Sequence, residues 1–235
     1  MKTIIIIFIF FFSAPLLSLA QQIEFQKDLM EIERQFRSAP EIMLTQKYSF
    51  SLDSANALPF DSGVCNTRKY EENIISMFAG IELFTDGIYV VRLNNPDKYM
   101  WISKTISPDS SVNTVLYPDL LASFKKYDKR VTESGVVSWL LSDGSEEVNS
   151  VEVTYDVHTM RILSVLSELS AGHPSIRQMT NSKAHILPKM FISVDYRYAQ
   201  AQKEKCPQIS DYIHVKNDVI TPNERFKDYQ MKIIK

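Results

Sequence analysis

The chain has 235 residues, 45% of them hydrophobic, and a net charge of −2 from 26 basic and 28 acidic side chains spread along its length. No basic stripe runs through it, so the electrostatic footprint of a nucleic-acid binder is missing and no nucleic-acid partner is expected. Its six glycines make neither a G-x-G-x-x-G nor a G-x-x-x-x-G-K-S/T loop, which argues against a nucleotide cofactor, and no cofactor is expected.

Met1-Lys2-Thr3 leads into the apolar residues 4–12, and Ser18-Leu19-Ala20 places small residues before Gln21. That layout is a secretory signal peptide over residues 1–20. The alternative is an uncleaved anchor, because residues 3–20 carry no charge and approach spanning length; Pro15 and the small-residue end favour cleavage. No cysteine follows the cut, so a lipid-anchored N-terminus is not indicated. Cleavage leaves 215 of the 235 residues, with 25 basic against 28 acidic side chains once Lys2 is gone. Residues 21–235 are then expected to be one exported, periplasmic β domain with no permanent membrane span.

Phe25, Leu29, Ile32 and Phe36 recur at helical spacing between charged residues and predict an amphipathic helix over 23–38, ended by Ala39-Pro40. A half-buried strand follows, with Leu44, Tyr48, Phe50 and Leu52 on one face and Thr45, Lys47, Ser49 and Ser51 on the other. Residues 63–104 read as a meander of short strands. Its turns are Phe78-Ala79-Gly80, Thr85-Asp86-Gly87 and Asn94-Asn95-Pro96-Asp97, and its strands include Ile88-Tyr89-Val90-Val91-Arg92-Leu93 and Tyr99-Met100-Trp101-Ile102.

Beyond a polar loop at 105–111, Pro118 opens a predicted short helix whose apolar side is Leu120, Leu121, Phe124 and Tyr127. Lys125, Lys126, Lys129 and Arg130 suit its C-terminal end. Strands over 136–141 and 148–155 flank the hairpin signal Ser142-Asp143-Gly144-Ser145, and a further strand falls within 158–169. Residues 170–188 form a connection long enough to suggest a flap or rim. Met190, Ile192, Val194, Tyr196 and Tyr198 then alternate strictly with Phe191, Ser193, Asp195 and Arg197. Residues 212–215 and Tyr229, Met231 and Ile233 read as closing strands. The fold class expected is mainly β with a few helices: a strongly curved antiparallel sheet of ten to eleven strands whose concave face the helices cover.

Catalytic signatures are missing. The four histidines lack metal-ligand spacing, no serine lies in G-x-S-x-G, and Glu71-Glu72 and Glu146-Glu147 would project to opposite strand faces; no enzyme activity is expected. Residues 143–147 could offer oxygens to calcium, but they lack EF-hand spacing and read as a hairpin tip. Cys65 and Cys206 either pair in an oxidising compartment or stand as two isolated buried thiols. The dry strand faces nominate Tyr48, Phe50, Tyr89, Val91, Val151, Val153, Val194 and Tyr196 as cavity-lining residues for a hydrophobic ligand, against the plain alternative of a filled core.

The order of elements carries one resemblance. An N-terminal helix and a strand precede Gly63-Val64-Cys65-Asn66-Thr67-Arg68-Lys69-Tyr70-Glu71-Glu72-Asn73-Ile74-Ile75-Ser76-Met77. Next come Ile81-Glu82-Leu83-Phe84-Thr85-Asp86-Gly87-Ile88-Tyr89-Val90-Val91 and, at the end, Tyr229-Gln230-Met231-Lys232-Ile233. Across residues 23–235 this resembles the periplasmic LolA/LppX-like superfamily, in its element order and not in a short motif. The resemblance implies an unclosed β-barrel with helices as a lid over an apolar cavity, and non-enzymatic carriage of lipids or lipoprotein acyl chains in a Gram-negative envelope. The 169–188 loop and the segment holding Cys206 depart from a minimal carrier. An envelope structural or interaction protein with a filled core and a protein partner is the second reading, and an exported hydrolase the third.

Overall fold

The computed structural model describes residues 2–104, 123–145, 147–170, 173, 176, 189–199 and 207–234, with side chains from residue 19 onward. They gather into two compact units. The first comprises Met1–Ser38, Ser49–Ser62 and Pro118–Asp195, and the second Ala39–Tyr48, Gly63–Tyr117 and Tyr196–Lys235.

In the first unit one continuous helix, α1 (Lys2–Ser38), joins the leader-like stretch to the amphipathic segment and stops where Pro40 forces Ala39 out of the α region. Phe25 and Ile32 are buried and Leu29 and Phe36 half-buried, so the 3.6-residue stripe faces protein as expected. Strands β7 (Lys126–Val131), β8 (Val136–Ser142), β9 (Val148–Asp156), β10 (Arg161–Leu169) and β11 (Met190–Ala199) pair antiparallel in sequence order. Their register places Lys129, Trp139, Val153, Val165 and Val194 in one row across five strands.

The helix expected from Pro118 to Arg130 is corrected in its second half. Residues 126–131 are strand β7, in which Tyr127 pairs with Leu141 and Lys129 with Trp139; residues 118–122 lie outside the described residues. In the strand Tyr127 is buried and Lys129 faces the same side, while Lys126, Asp128 and Arg130 alternate outward. Pairing with β8 outweighs a weak local helix preference.

The second unit holds most of β1 (Glu41–Leu52), then β2 (Asp61–Tyr70), β3 (Asn73–Phe78), β4 (Ile81–Thr85), β5 (Tyr89–Asn94) and β6 (Tyr99–Lys104). From β2 onward these form the expected antiparallel meander. Ala79 and Gly80, at φ 49° and 80°, make a two-residue turn between β3 and β4 with both residues left-handed, the geometry that matches strand twist. Residues 212–215 are corrected from a sheet-closing strand: β12 (Ile213–Lys216) and β13 (Val219–Pro222) form a separate two-stranded hairpin. The last strand, β14 (Gln230–Ile234), runs parallel to β6, so the sheet is not wholly antiparallel.

The hydrogen-bonded order is β14-β6-β5-β4-β3-β2-β1-β11-β10-β9-β8-β7. The protein is mainly β, with one large unclosed sheet of 12 strands in place of the ten to eleven expected, and α1 is its long α-helix among the described residues.

Candidate functional site

In the first unit α1 lies against β7 and β10 and covers the row just described. Phe25 packs on Tyr127 and meets Trp139 edge-on, with ring centroids 5.8 and 5.5 Å away. Beside it one carboxylate oxygen, Asp28 Oδ2, accepts from Tyr155 Oη at 2.6 Å, Trp139 Nε1 at 2.8 Å and Lys129 Nζ at 3.2 Å. Lys129 also donates to Glu24 at 2.7 Å and lies 5.1 Å from the Trp139 ring centroid. Burial, then the hydrogen bond to Asp28, pushes the Tyr155 hydroxyl pKa up. For Lys129 burial pulls the pKa down, but Glu24 and Asp28 outweigh it and the net direction is upward. The apolar face here is a filled core stapled to the helix by charge-assisted hydrogen bonds.

The sheet of the second unit has two unlike faces. Phe84, Val91, Leu93, Met100 and Ile102 lie on one and are fully buried by the C-terminal segment, which lays Tyr212, Ile213 and Phe226 across them. Tyr212 stacks on Phe84 at 4.5 Å and on Phe226 at 6.1 Å, and its hydroxyl donates to Glu82 at 2.6 Å. The cover is built by the 3-10 turns Ile209–Asp211 and Glu224–Phe226 together with the β12–β13 hairpin.

Strand register puts Ile74, Phe78, Ile81, Leu83, Val90 and Trp101 on the opposite face. None of the six is buried, and Phe78 is 43% exposed. Toward β2 the same face closes: Cys65, Thr67 and Lys69 are buried, Thr67 and Ser76 share a hydrogen bond at 3.0 Å, and Lys69 Nζ donates to the Ala39 carbonyl at 2.5 Å. Tyr48 meets Phe78 edge-on at 5.9 Å and borders the patch. Among the described residues, incompletely buried apolar surface therefore spans about four strands, interrupted by the buried Thr85 on β4, and is the candidate ligand-binding surface of this unit.

The eight residues nominated from the sequence do not form one group. Val151, Val153 and Val194 lie in the first unit, buried among the strands beneath α1, and Phe50 packs on Phe60 at 6.3 Å. In the second unit Tyr48 and Tyr196 border the open face, Tyr196 hydrogen-bonding to Gln46, whereas Val91 belongs to the covered core and Tyr89 packs against it. Alternation finds the dry faces without telling which one is covered. Sequence reasoning missed Asp28, although a carboxylate three residues after Phe25 and four before Ile32 falls within the apolar stripe. It also missed the aromatic cover at Tyr212 and Phe226.

Cys65 is a buried free thiol, 3.9 Å from Thr67 Oγ1, and its proposed partner Cys206 lies outside the described residues. Burial pushes the Cys65 thiol pKa up. A depression of about 450 Å³ at the β8–β9 hairpin, lined by Leu140, Ser142, Gly144, Asn149 and Glu168 among others, contains none of the eight residues. In that hairpin Asp143 is ion-paired to Lys126 at 2.7 Å. Among the described residues no helix is long and apolar enough to cross a membrane.

No protein-family model and no curated protein matches the chain. Solved structures similar to it include a Vibrio parahaemolyticus protein domain described as outer membrane lipoprotein-sorting, at 13% identity and a TM-score of 0.30, covering 76% of this chain and 93% of that one. A LolA superfamily protein from Nitrosomonas europaea is similar at 9% identity and a TM-score of 0.29, covering 72% and 90%. A DUF1329 family protein from Desulfovibrio piger follows at 9% identity and a TM-score of 0.24, covering 77% and 91%. Likeness of this size adds nothing on ligand or activity.

Proposed function

We propose that this chain is a non-enzymatic binding or carrier-like protein for a hydrophobic ligand, a lipid or lipoprotein acyl chains, acting in the periplasm after removal of residues 1–20. The supporting observation is the contrast between the two faces of the second unit. One is covered over β4–β6 by Tyr212, Ile213 and Phe226, with Met77 on β3 left exposed, while on the other Phe78 is exposed and Ile74, Ile81, Leu83, Val90 and Trp101 are half-buried. An acyl chain is a natural cover for a contiguous apolar surface that the described residues leave only half-buried.

Native mass spectrometry of protein isolated from its own periplasm tests the reading. Retention of a lipid-sized mass, displaced by an apolar fluorescent probe, is the expected result. Bare polypeptide that binds no probe would overturn the proposal in favour of the envelope structural or interaction protein, the second reading, which the filled core beneath α1 supports.

A further inference from the structure

The open face changes character across its width. Its middle row, read through the strand register, is Thr67, Ser76, Leu83, Arg92, Trp101 and Lys232. On either side run Cys65, Phe78, Ile81, Asn94, Tyr99 and Gln230, and Lys69, Ile74, Thr85, Val90, Ser103 and Ile234. Apolar side chains dominate over β3 and β4. Over β5, β6 and β14 the Arg92 guanidinium lies 5.5 Å from the Trp101 ring centroid, Tyr99 stacks on the same ring at 5.5 Å, and Lys232 is its register neighbour. Arg92 and Lys232 are exposed, and among the described residues neither forms an ion pair. None of these rows contains an aspartate or glutamate.

We infer that this face takes an amphiphile with an anionic head, its chain along Leu83 and Ile81 and its carboxylate or phosphate against Arg92 and Lys232. The inference deepens the proposed function and rests on it. Charge complementarity carries it: the Arg92 guanidinium over the indole presents an N–H fork that suits two acceptor oxygens, the three rows hold no acid, and Asp97 at the rim is engaged by Asn94 at 2.8 Å. A neutral lipid would fill the apolar half equally well and leave both cations unused.

Calorimetric titration of the full mature chain with dodecanoate, dodecyl phosphate and dodecanol compares three heads on one tail. At least about tenfold tighter binding of either anion than of the alcohol is expected, the size of one charge-assisted hydrogen-bonded contact. Preference for dodecanoate would assign a fatty-acid head and preference for dodecyl phosphate a phospholipid-type head; both sustain the inference. The anion-to-alcohol ratio should fall to near one in the Arg92→Gln/Lys232→Gln variant and drop in Lys232→Glu, whose change is confined to the exposed edge strand. Equal affinities for all three in the wild type, or an unchanged ratio in both variants, would overturn it. If none of the three binds, the face is no ligand surface at all and the proposed function falls with the inference.

Discussion

Tyr155 on β9 donates its hydroxyl to Asp28 on α1 at 2.6 Å, joining residues 127 apart in sequence. Because Trp139 donates to the same carboxylate oxygen, removing Asp28 orphans two donors at once, while Lys129 keeps its shorter bond to Glu24. Asp28→Ala should cost about 1.5–3 kcal/mol, the range for a hydrogen bond to a charged group at a partly exposed site, and Asp28→Asn, which keeps an acceptor, should cost less. Urea midpoints measure both, and a red-shifted Trp139 emission in the alanine variant alone would report helix undocking.

Alkaline pH should weaken the fold through its tyrosines. Burial raises the hydroxyl pKa of Tyr155, Tyr196 and Tyr212 above that of an unfolded tyrosine. The folded state therefore keeps protons that the unfolded state loses, so stability is full below about pH 10 and declines as pH rises beyond it. Lys129, shifted upward, acts in the same direction; Lys69, shifted downward by burial, opposes it. Tyr155→Phe and Tyr196→Phe should each flatten the decline, read as urea midpoints between pH 8 and pH 11.

Leu83 and Val91 flank the same strand pair on opposite faces and should respond oppositely to one change. Val91, fully buried under the C-terminal cover, should lose about 2–4 kcal/mol as Val91→Asn through lost packing and a buried amide. Leu83→Asn on the open face should alter stability by less than about 1 kcal/mol while weakening apolar-probe binding. Equal losses in both variants would mean that both faces are core.

How much of this was legible follows from what a strand pattern encodes. Period-two alternation in Val151, Val153 and Tyr155, and the turns at Ala79-Gly80 and Gly87, located strands, because those signals are local. The α1 stripe was legible for the same reason. Residues 126–131 misled because a lysine-rich run with Phe124 and Tyr127 suits a helix end, and only β8 decides otherwise. The open and closed faces of β5 were indistinguishable, since Tyr89, Val91 and Leu93 alternate with Val90 and Arg92 and nothing nearby announces that Tyr212 and Phe226, more than a hundred residues later, cover just one side.

Cys65 should resist alkylation in the native protein, since it is buried and its thiol pKa is pushed upward, and should react readily once unfolded. Timed iodoacetamide labelling with mass spectrometry reads the difference. Rapid native labelling would show that the β2 end of the face is open.

The mature chain is expected to begin at Gln21, which N-terminal sequencing of the exported protein checks. Glu24, Phe25, Asp28 and Ile32 all follow that residue, so a cleaved chain should keep α1 docked and its Trp139 emission unshifted.

The parallel pairing of β14 with β6 has a kinetic consequence. Gln230 must find Tyr99 across more than half the chain, and the cover over Phe84 arrives from the same late segment. Until then a growing polypeptide presents the unpaired rim of β6 and a greasy surface on β4 and β5, the kind of intermediate that self-associates. Refolding should therefore be slow in its final step and lose yield steeply with protein concentration, and a cell that exports this chain would benefit from a holdase acting between translocation and the arrival of residue 230.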